Sequence, residues 1–206
     1  MPDRIKLEFA ESKQDRSKKT LENIVEAASN LLEQADPELL TSRVLAAHSG
    51  YSLGTLNKRL LSVDRVFLWL IEQGQKQHVN NAAKFISDFD PNEPLQVLAE
   101  KLVDMFFSTM RKVNPKIIRY YEHRIAIKYG LVEDYARSDA IVKPFHEAAI
   151  KNRTNTFREL DETELRLILR SMLIFVERPF IYSDPIAGTM EHRRIIIDNF
   201  VRLLGR

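Results

Sequence analysis

Thr41-Ser42-Arg43-Val44-Leu45-Ala46-Ala47-His48-Ser49-Gly50-Tyr51-Ser52-Leu53-Gly54-Thr55-Leu56-Asn57-Lys58-Arg59-Leu60 reads as two short helices packed steeply around a turn. Thr41 is a natural N-cap for a helix over Ser42–His48, because its hydroxyl can accept from an amide left open in the first turn. Ser49-Gly50 breaks that helix, and glycine supplies the turn because positive φ is cheap without a Cβ. Ser52 can cap the next helix, from Leu53 to about Leu60. Ala46 keeps the first helix thin enough for close approach, while Leu45, Tyr51, Leu56 and Leu60 fill the small core between the two. Once those four face inward, Leu53, Thr55, Asn57, Lys58 and Arg59 cannot all be buried. The stretch has the form of a helix-turn-helix.

Outward from it the periodicity is helical almost throughout, with no convincing alternating strand. Upstream, Leu21, Ile24, Val25, Ala28 and Leu32 make one apolar stripe of a helix over about Arg16–Gln34, which Asp36-Pro37 ends. Downstream, Ser62 caps a long fourth helix with Asp64 against its N-terminal dipole. A break at Asp88–Pro94 precedes a fifth helix, and Asn114-Pro115 opens a sixth. A seventh, over about Leu131–Leu160, contains Pro144, where a kink or break is expected. Asp161 with Glu164 makes a capping-box pattern for an eighth, which should stop at Arg178-Pro179. The last runs over about Thr189–Leu204. The expected architecture is all-α, about nine helices. Residues 1–61 form an N-terminal arm and three-helix headpiece, and 62–206 a second, helical domain.

The 206 residues, 44% hydrophobic and 29% charged, make an ordinary globular mixture, long enough to bury a sizeable core. No cysteine is present, so disulfides, thiolate metal sites and thiol catalysis are excluded; a reducing cytoplasm suits that composition. No apolar run resembles a signal peptide or approaches the roughly 20 residues needed to span a bilayer. A formal net charge of +2 argues for nothing by itself. Local charge matters more, because screening confines phosphate attraction to about 10 Å. Lys13-Gln14-Asp15-Arg16-Ser17-Lys18-Lys19 and Lys58-Arg59 are the basic segments. No Gly-rich phosphate loop, paired metal-ligand motif or nucleophile motif is present. Glu122 and His123 are adjacent, hence about 100° apart on a helix, and make no dyad. Neither an enzyme, a cofactor nor a metal site is expected.

The stretch from about Arg16 to Phe67 resembles the headpiece of the tetracycline-repressor (TetR) family. The resemblance rests on Ala27, Ala28, Leu31 and Leu32 ending the first helix, on Thr41, Leu45 and Ala46, and on Gly50, Ser52, Gly54, Thr55 and Leu56. Ser62-Val63-Asp64 stands where the family usually has Ser-Lys-Glu. Three positions depart from the pattern: Asn57 replaces a phosphate-contacting tyrosine, Leu60 a core phenylalanine, and Val63 a lysine. The resemblance implies a cytoplasmic, dimeric, sequence-specific DNA-binding regulator, a repressor released by a small-molecule effector, acting on double-stranded DNA at a palindromic operator. The start of the second short helix enters the major groove in such a motif. The DNA-facing set is therefore Lys18, Lys19, Thr41, Ser42, Arg43, Ser52, Leu53, Gly54, Thr55, Asn57, Lys58 and Arg59. The departures support one alternative, a dimeric interaction protein on the same scaffold with weak or no sequence-specific DNA binding.

Two late segments, Leu165–Val176 and Ile195–Leu204, are apolar on nearly all sides, so the chain's own core covers one face and a second subunit the other, the alternative being a monomer in which both helices are central. The expected dimer interface comprises Leu165, Ile168, Leu169, Met172, Phe175, Ile196, Phe200, Val201 and Leu204. The resemblance agrees, since TetR proteins pair their last two long helices with a partner's. It also implies an effector pocket among the middle helices. Met105, Phe106, Met110, Tyr120, Tyr121 and Phe145 would line it, and His123, Arg124 and His146 would orient the ligand. Ordinary core packing competes with that role at each apolar position.

Overall fold

The structure, a computed structural model, describes residues 15–34, 36–60, 62–122 and 138–206. Among them it has nine α-helices, one 3₁₀ turn and no strand, apart from an isolated antiparallel bridge between Phe157 and Gly205. They divide into two compact units. The first takes the described residues within Met1–Gly74 and Lys116–Val132, and the second those within Gln75–Pro115 and Glu133–Arg206.

In the first unit, α1 (Asp15–Gln34) buries Ile24, Ala27, Ala28 and Leu31 along one face, the stripe its spacing dictates. The 3₁₀ turn Pro37–Leu39 leads to α2 (Ser42–Ser49), whose cap is Thr41: its Oγ1 accepts from the Val44 N–H at 3.3 Å. Gly50 ends α2 at φ 72°, a conformation that costs other residues about 1–2 kcal/mol. The next helix, α3 (Leu53–Arg59), is capped by Ser52, which accepts from the Thr55 N–H at 3.1 Å. Then α4 (Val63–Ser87) begins directly after Ser62. The core of this unit gathers Ile24, Leu45, Leu56, Leu60, Val63, Val66, Phe67, Ile117 and Tyr121. Val66 and Phe67 are fully buried there, so the division between units falls inside α4, after Gly74, and not at its start. The short α6 (Pro115–Tyr120) contributes Ile117 to this core, and Tyr121 follows it. Burial, aided by the charge of Asp64, raises the Tyr121 hydroxyl far above its ordinary range.

The second unit combines the later turns of α4 with α5 (Leu95–Met110), α7 (Asp139–Lys151), α8 (Glu162–Ile181) and α9 (Met190–Leu204). Its core runs from Val79, Ala82 and Ile86 through Leu98, Leu102 and Phe106 to Leu169, Met172, Phe200 and Leu204. Caps appear where polar residues precede apolar runs. Asp161 accepts from Thr163 and Glu164 amides at 2.8 and 2.9 Å, and Thr189 from the His192 amide at 3.1 Å. Glu164 does not complete the expected box; its carboxylate takes Arg158 at 2.7 Å instead.

Two helices end elsewhere than the prolines suggested. α7 continues through Pro144 and stops at Lys151, nine residues short of the expected Leu160. Asn152 sets the end: its Oδ1 accepts from both the amide and the hydroxyl of Thr154, and its Nδ2 donates to the distant carbonyls of Pro91 and Glu93. Side chains that bind nearby backbone compete with helix in this way. α8 passes through Pro179 to Ile181. Proline has no N–H, so the Phe175 carbonyl lacks its helical donor. His192 of α9 occupies that acceptor, its Nε2 lying 3.0 Å from the Phe175 oxygen. The other ring nitrogen, Nδ1, accepts from the Gly188 N–H at 3.1 Å, which makes Nε2 the protonated one. The ring is buried against Phe107 and Phe180.

Candidate nucleic-acid interface

The helix-turn-helix spanning Thr41–Leu60 carries Arg43, Lys58 and Arg59 and no carboxylate. Burial sorts it cleanly. Leu45, Leu56 and Leu60 are inside, whereas Arg43, Leu53, Gly54, Asn57 and Lys58 are exposed and Thr55 and Arg59 half-buried. The outward face of α3 is thus polar and basic, with Leu53 as its one large exposed apolar residue, 40% accessible. Lys18 and Lys19 are exposed near the start of α1. Among the described residues none of Lys18, Lys19, Arg43, Lys58 and Arg59 enters an ion pair or a side-chain hydrogen bond. Lys116, by contrast, holds Asp36 at 3.7 Å in the same unit.

The hydroxyls of the expected set have structural duties. Thr41 accepts from Val44, which leaves its own O–H available to donate outward. Ser52 Oγ and Thr55 Oγ1 lie 3.0 Å apart and share one proton, so one of the two hydroxyls keeps a free donor. Ser42, half-buried, opens α2 beside the exposed Arg43. Tyr51 is tied to α1 by a 3.0 Å hydrogen bond from the Asn23 amide. Two of the three departures from the TetR pattern prove to be packing choices: Leu60 and Val63 are 7% and 8% accessible, members of the first unit's core. Only Asn57 stands on the exposed face.

No protein-family model matches the chain, and no curated protein does. Among solved structures it is similar to a putative TetR family transcription regulator from Shewanella sp. PV-4. The TM-score is 0.55 over 91% of this chain and 98% of that one, at 15% sequence identity. The fold is TetR-like.

On this TetR-like fold the described members of the expected effector set are distributed over both units. Phe106 lines a small cavity in the second unit, and Phe145 packs beside it against the rings of Phe157 and Phe200. Met105 is half-buried and Met110 buried. Tyr120 and Tyr121 belong to the first unit, Tyr121 with its ring 6.3 Å from that of Phe67. His146 is exposed on α7. His123 and Arg124 lie outside the described residues.

The expected interface residues divide as well. Leu165, Leu169, Met172, Ile196, Phe200 and Leu204 are buried in the chain's own core, because they repeat at three- and four-residue spacing on the inner faces of α8 and α9. Ile168 and Val201 are half-buried at its edge, and Phe175 is 47% accessible. The sequence reading missed Leu167, 58% accessible, which shares the outer face of α8 with Ser171 and Phe175. Its signal was present: two residues from the buried Leu165, it must point to the opposite side. No helix among the described residues is long and apolar enough to cross a membrane.

Proposed function

We propose that the chain is a sequence-specific DNA-binding transcription regulator that acts as a homodimer, a repressor released by a small-molecule effector. The observation that carries this reading is the exposed face of α3, where Asn57, Lys58 and Arg59 stand without a carboxylate partner among the described residues. An uncompensated cationic patch on a helix that can enter a major groove suits phosphate first and base edges second. Arg43 at the exposed start of α2, with Lys18 and Lys19, supplies further phosphate contacts, so the backbone grip does not depend on the missing tyrosine and lysine. A cytoplasmic site of action follows from that partner.

The homodimer is supported by the outer face of α8. Leu167 and Phe175 flank Ser171 at helical spacing, and large exposed apolar side chains in a row favour burial against a second copy. A twofold dimer presents two recognition helices one DNA turn apart, and a palindromic operator mirrors that symmetry. The effector is proposed to bind in the second unit and to act on the headpiece through α4, which contributes turns to both units. It can do so only by binding the DNA-competent and incompetent states with different affinity.

Selection from a random duplex library at near-physiological salt is the test. Enrichment of a palindrome with half-sites about one helical turn apart is the expected result. Recovery of no palindromic site removes the proposal.

A further inference from the structure

The first turn of α3 holds a leucine that the core of its own unit does not use. Helical spacing puts Leu53 on the side of Leu56 and Leu60. Those two are 0% and 7% accessible, whereas Leu53 is 40% accessible, because the core of the first unit stops short of it. Asn57, one turn further along, is exposed, and so is Lys58. Gly54 adds no side chain beside Leu53, and a Cβ placed there would meet only Ser52 Oγ, at 3.7 Å. Leu53 therefore stands as an apolar knob on a polar, basic face, with open space next to it.

In a major groove such a knob has few comfortable neighbours. A leucine laid on phosphate oxygens, or on the donors and acceptors of adenine, guanine and cytosine, strips them of water and returns no hydrogen bond. Thymine alone presents a methyl group there. Contact between that methyl and the leucine removes apolar surface of both from water, which is worth about fourfold in affinity for one methyl group. Over the two half-sites met by a twofold dimer the factor is about tenfold. The neighbouring cations cannot supply this preference, because phosphate is the same at every base pair.

We propose that Leu53 is a specificity-determining residue that selects a thymine in each half-site through the C5-methyl group; the assignment rests on the regulator reading above. The probes are an operator selected from the random duplex library and copies of it with deoxyuridine in place of single, symmetry-related thymidines. Uracil keeps the pairing edge and the O4 acceptor and lacks only the methyl. One such pair of replacements is expected to weaken binding of the full chain about tenfold. The Leu53→Ala variant is expected to bind the thymine operator about tenfold more weakly than the unaltered chain. It should bind the thymine and uracil copies within about twofold of each other, which closes a double-mutant cycle on the contact. Leu53→Gln serves the same purpose if the alanine variant does not fold. An operator without thymine in its half-sites, or replacements that all leave affinity unchanged, overturns the assignment of Leu53 and leaves the regulator reading standing. A folded Leu53 variant that prefers thymine to uracil as strongly as the unaltered chain does the same. Recovery of no operator at all overturns the regulator reading, and the assignment falls with it.

Discussion

The DNA-facing cations expected in the first unit and six arginines of the second are spent in opposite ways. In the second, Arg158, Arg166, Arg170, Arg193, Arg194 and Arg206 each hold a carboxylate at 3.0 Å or closer. In the first, Lys18, Lys19, Arg43, Lys58 and Arg59 hold none among the described residues. Exposure does not explain the contrast, since several paired arginines are as exposed as the unpaired cations; Arg194 is 60% accessible. For Arg43, Lys58 and Arg59 what differs is the placement of acids. α9 sets Glu191 and Asp198 three and four residues from Arg194, whereas the helix-turn-helix has no acid at any spacing. A cation paired within its chain is already neutralised; one left unpaired keeps its full attraction for an anionic partner.

The contrast can be broken most sharply at the headpiece. Replacing Arg43, Lys58 and Arg59 together with alanine is expected to weaken binding to a selected operator by about 100-fold or more. The slope of log affinity against log salt should fall by about three, with the unfolding midpoint unchanged. A triple variant that binds as before would show that the unpaired cations serve nothing. A smaller effect is expected at Ser52→Ala, which removes the α3 cap at a cost of about 1 kcal/mol. Faster amide exchange across Leu53–Arg59 is the readout, with the second unit unaffected.

The second unit should answer through stability alone. Arg170 makes a two-pronged contact with Asp139, partly shielded from solvent, so Arg170→Ala should cost about 0.5–1 kcal/mol in urea denaturation. Operator affinity should not change, and a drop in it would erase the distinction. The smallest effect concerns acid. The hydrogen bond from Arg193 lowers the Asp104 carboxyl below its ordinary 3.8. Its contribution is present above the unfolded value and is lost as pH falls through the lower folded one. Asp104→Asn should lower stability slightly near neutrality and, because that contribution is then absent at every pH, make stability fall less steeply as pH drops below about 4. Asp104 is 57% accessible, so screening keeps the effect small.

Much of the fold was legible because its signals were local. Thr41, Gly50 and Ser52 cap and turn the helices where their side chains and conformational freedom demand. The exposed face of α3 followed by subtraction once Leu45, Leu56 and Leu60 were assigned inward. The errors arose where a distant residue decided the outcome. Pro179 looked like a stop, and only His192, thirteen positions on, lets α8 continue. Asn152 ends α7 by reaching carbonyls of Pro91 and Glu93, across a separation that periodicity cannot detect. Aromatic content placed Tyr120 and Tyr121 with the effector domain, yet α6 delivers them to the headpiece core. On α8, counting apolar residues marked the helix as two-sided but could not tell Leu165, which is core, from Leu167, which faces out.

The bond between His192 and the Phe175 carbonyl has a mechanical side. Sliding α8 along α9 by one turn would strand a buried imidazole and a carbonyl together, at about 1–3 kcal/mol for each unsatisfied group. The ring reads the one gap in the ladder of α8 as a key reads a notch, so only one alignment of the two helices is comfortable. Motion in this part of the molecule is accordingly expected to carry α8 and α9 as a single stiff piece, and any deformation to be taken up by the helices that lack such a key.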